Sequence, residues 1–412
     1  MKHLLFSAWL IFAGFAFADQ TVIAITPFRG NDVSAHNMAA IIQADLERSG
    51  LFRGVDMVNT PASDETTGLA DPSVWRKKGV DALVSGSVTR LPDGRLDVRF
   101  RLWDVARNET LGGLGYALEA SNMRMAAHKI ADFVYERLTG EKAVFSTRIA
   151  YITKNGSVYT LWVADADGEN AIFALRSNEP IISPAWSPTG NQLAYVSFEA
   201  RKPSVFVHDI ETAKRRLVAN FKGSNSAPTW SPDGRTLALT LSRDTGSQIF
   251  LLDAMVPGAE PRRITTSSAI DTEPTFSSDG KTIYFVSDRG GTPQIYKMSA
   301  TGANVERVTF NGNFNASPNI SFDGKFMAYI SRVSGAFKLH VMNLQNGNVT
   351  PITDTLSDEK PSFAPNGRML LYATEQQGRD ALMMVTADGM IKTRLPGGDG
   401  DILQPHWGPA AR

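Results

Sequence analysis

Few side chains in this 412-residue chain are spaced so that they could do chemistry together. The six histidines stand at 3, 36, 128, 208, 340 and 406, and no two are close in sequence, which gives no basis for a His-rich metal site. There is no cysteine, so disulfides, thiol catalysis, Cys-ligated zinc, iron–sulfur clusters and a lipidated N-terminal Cys are all excluded. Asp165-Ala-Asp167-Gly-Glu169 resembles part of a calcium loop, but it lacks the third ligand spacing and the terminal Glu of an EF-hand. It falls where two strands should reverse, and a turn is the reading the residues favour. No Gly-x-Ser-x-Gly elbow occurs; Gly86-Ser87-Val88 does not fit it. No Gly-x-x-x-x-Gly-Lys phosphate loop is present either. No cofactor and no metal are expected.

Bulk composition agrees. Lys and Arg number 42 against 42 Asp and Glu, and a chain of zero net charge is poorly suited to neutralising the phosphates of a nucleic acid. With 42% hydrophobic and 20% charged residues the composition is that of a folded globular protein.

The elements that hold these residues are legible as a repeat. Pro184-Ala-Trp-Ser-Pro-Thr-Gly recurs as Pro228-Thr-Trp-Ser-Pro-Asp-Gly, Pro274-Thr-Phe-Ser-Ser-Asp-Gly, Pro318-Asn-Ile-Ser-Phe-Asp-Gly and Pro361-Ser-Phe-Ala-Pro-Asn-Gly, with a half-copy at Pro405-His-Trp-Gly-Pro. The spacings are 44, 46, 44, 43 and 44 residues. Each copy starts a short strand, turns at Asp-Gly or Asn-Gly, and continues into apolar runs such as Leu193-Ala-Tyr-Val and Val205-Phe-Val-His before a short fourth strand, Arg216-Leu-Val, Arg263-Ile-Thr or Arg307-Val-Thr. Four strands in about 44 residues make a β-propeller blade. Three unmatched strands begin at Arg148, Tyr159 and Ala171, and a lone first strand lies at Pro405-His-Trp-Gly. Together they make a sixth blade from both chain ends. The turn Asp residues are expected to shape turns, and Trp186, Trp230, Phe276, Phe363 and Trp407 to pack between blades. His406 is expected to be structural.

Before the repeat, residues 1–18 have a basic start, an apolar run from Leu4 to Phe17 and Ala16-Phe17-Ala18 ahead of Asp19, the pattern of a cleaved export signal. The run is about fourteen residues, short of the ~20 that span a bilayer. Residues 19–143 alternate strands and helices as an α/β or α+β domain. A strand is expected at Thr21–Thr26, a helix with Met38, Ile41, Ile42 and Leu46 on one face, a helix capped by Asp71-Pro72, strands at 82–88 and 96–103, and a helix from a Ser121 cap to Gly140. Residues 144–412 then form the propeller, and the short linker implies that the two domains pack together.

With so little catalytic signal, the useful surface is the ring of loops leading into the first strand of each blade. These loops carry Ser224, Ala227, Asp271, Thr272, Glu273, Asn315, Ser317, Asp358, Glu359 and Asp399. They make a candidate protein or peptide site, and Asp271, Glu273, Asp358 and Glu359 are expected to form a negative rim for a basic partner.

Several stretches carry a closer resemblance: Ala44-Asp-Leu-Glu-Arg-Ser-Gly-Leu-Phe, Thr147-Arg-Ile-Ala-Tyr-Ile, Ile182-Ser-Pro-Ala-Trp-Ser-Pro, Asp271-Thr-Glu-Pro-Thr-Phe and Ser321-Phe-Asp-Gly-Lys-Phe-Met. With the signal, small α/β domain and propeller order, they resemble the TolB family of the periplasmic Tol-Pal system over nearly the whole mature chain. The resemblance implies a soluble, non-enzymatic adaptor that supports outer-membrane integrity and constriction during cell division; a monomer is expected, since no self-complementary stretch is evident. It implies binding of the lipoprotein Pal at the propeller mouth, at Ser224, Ala227 and Thr272, with Ser224 departing from the family residue. It also implies contact with TolA through an N-terminal arm, although Asp19-Gln20 leads almost directly into the first strand, so that arm is expected to be very short or missing. Two other readings stand beside it: an exported propeller enzyme, such as a polysaccharide lyase or hydrolase using channel residues, and a scaffold for another envelope complex.

Overall fold

The structure is a computed structural model and describes residues 20–30, 33–55, 72–243, 246–398 and 400–410. The expected export signal, Asp71 and Asp399 lie outside the described residues. No described helix is long and apolar enough to cross a membrane.

The N-terminal α/β part is built from β1 (Thr21–Ile25), α1 (Val33–Arg48), β2 (Phe52–Gly54), α2 (Pro72–Lys77), β3 (Ala82–Arg90), β4 (Leu96–Asp104), β5 (Glu109–Leu118) and α3 (Met123–Thr139). The sheet order is β2-β1-β3-β4-β5, with β1 parallel to β2 and β3 and the rest antiparallel. Alternation along β4 puts Leu96, Val98, Phe100 and Leu102 on one face, buried with Met38, Ile42 and Leu46 of α1 and Ala127, Ile130 and Val134 of α3. Trp75 of α2 fills the opposite face with Leu83 and Val105. Helix α3 does not start on a Ser121 cap; a 3-10 turn over Ala120–Asn122 leads in, and no side chain caps it. It stops at Gly140, whose left-handed φ of 73° lets its N–H reach the Glu136 carbonyl.

Six four-stranded sheets follow. Blade 1 contains β6 (Arg148–Asn155), β7 (Val158–Asp165) and β8 (Ile172–Ser177), and its innermost strand is Asp401–Trp407 from the far end of the chain. The other inner strands are Ile181–Trp186, Asn225–Trp230, Asp271–Phe276, Asn315–Ile320 and Glu359–Phe363. The ring-closing aromatics pack as their spacing implied. Trp186 bridges blades 1 and 2, Trp230 blades 2 and 3, Phe276 blades 3 and 4, and Phe363 blades 5 and 6. The Trp230 indole N–H also donates to the Ala185 carbonyl across the blade boundary (3.1 Å).

The Asp-Gly turns are held by one device. In blade 3, Ser231 Oγ donates to Asp233 Oδ1 (2.5 Å), the Arg235 N–H donates to the same oxygen (3.0 Å), and Ser231 Oγ accepts from the Thr236 N–H. Asp279 and Asp323 repeat it with Ser277 and Ser321. The outer strands of blades 3 and 4 are shorter than expected, ending at Arg263 and Arg307. In blades 3 to 5 a threonine hydroxyl takes over from the backbone. Thr265, Thr309 and Thr353 Oγ1 accept the N–H groups of Ile249, Ile295 and Leu339 at 2.9–3.0 Å.

The closing strand buries Ile402 and Trp407, and the Trp407 indole N–H donates to Thr147 Oγ1 (2.8 Å). Trp407→Ala is expected to cost about 3–5 kcal/mol. Removing residues 401–412 should lower the melting temperature and broaden the transition of the whole ring in calorimetry. A truncated chain that melts like the full-length protein would refute closure as the source of the ring's stability.

Candidate functional site

Each inner strand carries a bulge at the residue before its proline. Ser183, Ala227, Glu273, Ser317, Lys360 and Gln404 all adopt a left-handed φ between 45° and 54°. Positive φ is unfavourable for residues other than glycine, and here it interrupts the strand register once per blade. These six residues, with Thr229, Thr275, Asn319 and His406, line a narrow axial channel with a cavity of about 90 Å³. Lys360 Nζ pairs with Glu273 Oε1 (3.0 Å), and the Ser317 N–H donates to Glu273 Oε2 (2.7 Å). Burial pushes the Glu273 carboxyl up, but Lys360 and Ser317 outweigh it and hold it below its ordinary value. The Gln404 N–H donates to Glu359 Oε1 (3.1 Å); there burial dominates and the carboxyl is raised. Burial drives His406 down to about 4, so it is neutral at pH 7. The channel is thus a polar plug whose charges already have partners.

The mouth loops separate into anchors and surface. Asn225, Asp271, Asn315 and Asp358 occupy equivalent positions and are buried. Asn225 accepts from the Phe221 N–H (2.9 Å) and donates to the Phe221 and Gly223 carbonyls of its own loop and to the Pro203 carbonyl. Asp271 binds Arg289 (2.9 Å) and Ser267 Oγ (2.7 Å). Asn315 donates to Gln294 Oε1 and the Asn311 carbonyl. Asp358 accepts from Thr353, Thr355 and the Leu339 N–H. The expected negative rim is therefore not formed. Two of its four acids are internal anchors, a third is paired inside the channel, and Glu359 is half-buried against the next strand. Ser224, Ala227, Thr272, Glu273, Ser317 and Glu359 stay partly accessible around the opening. Gly223 beside Ser224 must be glycine: its φ is 85° and a Cβ would lie 1.9 Å from the Ser242 carbonyl oxygen.

Around that opening stand Ile270, Phe310 and Leu356, 53%, 71% and 68% exposed. Arg243, Arg289 and Arg332 sit on the neighbouring hairpins, stacked on Phe250, Phe285 and Phe337. The rim over blades 3 to 5 is thus apolar and basic, a character that strand-by-strand reading could not assign.

On the opposite face the N-terminal part packs against blades 1 and 6, through a buried ionic cluster. His128 of α3 is fully buried, with Nδ1 2.6 Å from Asp45 Oδ2 of α1 and Nε2 3.7 and 3.9 Å from Asp165 and Asp167. Arg124 of α3 pairs with Asp165 and Asp167, and Arg48 of α1 with Asp45 and Asp167. Asp165-Ala-Asp167-Gly-Glu169 is thus a turn between β7 and β8, with Gly168 at φ 85°, and also the docking point of the two domains. Asp45, His128 and Asp167 are close enough to hold a metal ion. Two guanidiniums already engage their carboxylates, however, and three acids against two arginines and one imidazolium sum to zero. We read the cluster as an ion network. The Arg124/His128 spacing on α3 and Asp45/Arg48 on α1 could have flagged it, since each pair shares a helix face. On the other side of the seam Arg368 of blade 6 binds Glu141 (2.8 Å), and Asn366 binds the Lys142 carbonyl.

A six-bladed ring whose channel charges are paired, with a partly accessible mouth and an α/β part packed on blades 1 and 6, is the architecture of a two-domain propeller protein. Family models agree in detail: the TolB amino-terminal domain matches residues 15–111 and the TolB beta propeller domain residues 135–411. The Tol-Pal system protein TolB of Albidiferax ferrireducens is 64% identical over 95% of this chain and 91% of its own length. That of Bordetella pertussis is 50% identical over 96% and 90%. The crystal structure of TolB from Acinetobacter baumannii superposes with a TM-score of 0.87 at 37% identity, covering 95% of this chain and 97% of that one. The chain belongs to the TolB family, whose members are Tol-Pal system components and not enzymes.

The cluster sets a pH dependence. Burial works to strip the His128 proton, but the carboxylates of Asp165 (3.7 Å away) and Asp45 (hydrogen-bonded at 2.6 Å) win and lift its pKa from 6.5 to about 9. The proton is bound more tightly folded than unfolded, so this stabilisation is complete below 6.5 and is lost as pH rises through about 9. His128→Leu leaves a buried net negative charge and should cost about 3 kcal/mol at pH 7. Between pH 7 and 9.5 the wild-type melting temperature should fall more than the variant's; parallel curves would refute the assignment.

Proposed function

We propose that this protein is a periplasmic adaptor that binds the lipoprotein Pal at the open mouth of its propeller and engages TolA. Residues 19–143 and 144–412 would be its two working domains, behind a cleaved signal at 1–18. Family membership, and relatives named for the Tol-Pal system, support the setting. One observation carries the site. The mouth is the end of the ring that the N-terminal part leaves open, and Ser224, Ala227 and Thr272 stay partly accessible there beside exposed Ile270, Phe310 and Leu356. A partly accessible ring with exposed apolar side chains suits a protein partner. Buried anchors hold the loops in place before the partner arrives, which lowers the ordering cost of association. Arg243 and Arg332, flanking Arg289 that is already paired with Asp271, favour acidic groups on the partner surface that meets blades 3 to 5.

Calorimetric titration of the mature chain with the soluble domain of its own Pal tests this reading. Thr272 is half-buried at the opening, its hydroxyl 3.3 Å from that of Thr240. Thr272→Arg should cost about 2–4 kcal/mol of binding through steric conflict, while leaving the melting temperature unchanged. Absence of binding by the wild type would remove the Pal assignment.

A further inference from the structure

Among the described residues strand β5 is an open edge of the N-terminal sheet, paired with β4 on one side only. Its register with β4 runs without a shift from Gly112↔Leu102 to Leu118↔Leu96. The segment Leu111–Leu118 reads Leu-Gly-Gly-Leu-Gly-Tyr-Ala-Leu, with no charge and no proline. Soluble proteins usually protect such an edge with lysine, proline or a covering element, because its free N–H and C=O groups accept another strand. Here the one bulge, at Gly112 with φ 128°, sits at the start and leaves the following six residues regular.

The two faces beside this edge differ. On one, Gly113 and Gly115 lie opposite Arg101 and Arg99 of β4, and their Cβ positions would fall 3.0 and 3.5 Å from the Cγ atoms of those arginines. Having no side chains, the glycines leave a lane along which exposed Arg101, and Arg99 on leaving its exposed ion pair with Asp97 (2.9 Å), can extend over β5. An added strand would lie two spacings of about 4.8 Å from β4, within reach of an arginine and an opposing carboxylate. On the other face Leu114 is 48% exposed beside half-buried Tyr116, and Phe133 of α3 stacks on Phe100 and under Arg137.

We propose that β5 is a docking edge for an extended partner segment in which acidic and apolar residues alternate. The acidic side chains meet Arg99 and Arg101, the apolar ones meet Leu114 and Tyr116, and the backbone continues the sheet. A second copy of this chain suits the edge less well, because pairing β5 with itself would bring the four arginines of two copies onto one sheet. This surface is separate from the propeller mouth and does not depend on what binds there.

The probe is a capped eight-residue peptide alternating Glu and Val, added to the intact mature chain. Fluorescence anisotropy should show micromolar binding, and hydrogen-exchange mass spectrometry should show slowed exchange confined to 111–118. A Lys–Val peptide should bind roughly tenfold or more weakly. The variant R99E/R101E changes two exposed side chains and should reverse that preference without changing the melting temperature. A Glu–Val peptide methylated on alternate backbone nitrogens should lose binding. Equal affinity for the two peptides, protection outside 111–118, or protection of this segment through self-association without peptide would each overturn the proposal. Should the variant fail to fold, the two peptides on the wild type still decide it.

Discussion

The structure depends on one pairing, that of the strand Asp401–Trp407 with β6 at the other end of the propeller sequence. Without it the ring would have two free inner edges, and the channel and mouth would lose the strand that completes them. The N-terminal part sits across that seam. Its cluster of Asp45, Arg48, Arg124 and His128 holds the β7–β8 turn of blade 1, while Glu141 and the Lys142 carbonyl hold blade 6. A weak point made by joining both ends of the chain is therefore bridged from below by a second domain, so closure and domain docking reinforce each other.

This placement gives the molecule two unlike ends. One is occupied by buried charge, held neutral by a proton on His128 and by two guanidiniums. The other is a partly accessible ring with apolar and cationic side chains at its edge. Buried Asn225, Asp271, Asn315 and Asp358 serve the open end indirectly: the asparagines hydrogen-bond loop carbonyls, and the aspartates tie down Ser267 and Arg289, and Thr353 and Thr355. The left-handed bulge before each proline has a related role, placing one residue of each blade at the channel wall.

Much of this was legible in the residues, since a blade is a local object. Strand alternation, Asp-Gly turns and the 44-residue period are all decided within a few tens of residues, and Trp407 announced a strand with no successors. The N-terminal elements were legible for the same reason, apart from the three-residue β2, which was not expected, and the start of α3, where a 3-10 turn replaced the Ser121 cap. The mouth was legible as a place but not as a chemistry. Asp271 and Asp358 look like surface acids in a polar loop, and only the fold reveals that their loops turn inward onto Arg289 and onto Thr353 and Thr355. Glu273 likewise met its counter-ion, Lys360, only across the channel, 87 residues away.

What the sequence determined by itself is therefore the architecture: six blades, closure by the C-terminal strand, a preceding α/β domain, and no cysteine chemistry. These follow from local periodicity and composition, which need no knowledge of distant neighbours. The tertiary structure alone decided which charges are exposed and which are spent internally, which face of the ring carries the N-terminal part, and which sheet edge is left open. Each of those depends on groups remote in sequence meeting in a low-dielectric interior, where a carboxylate is held only if its partner arrives.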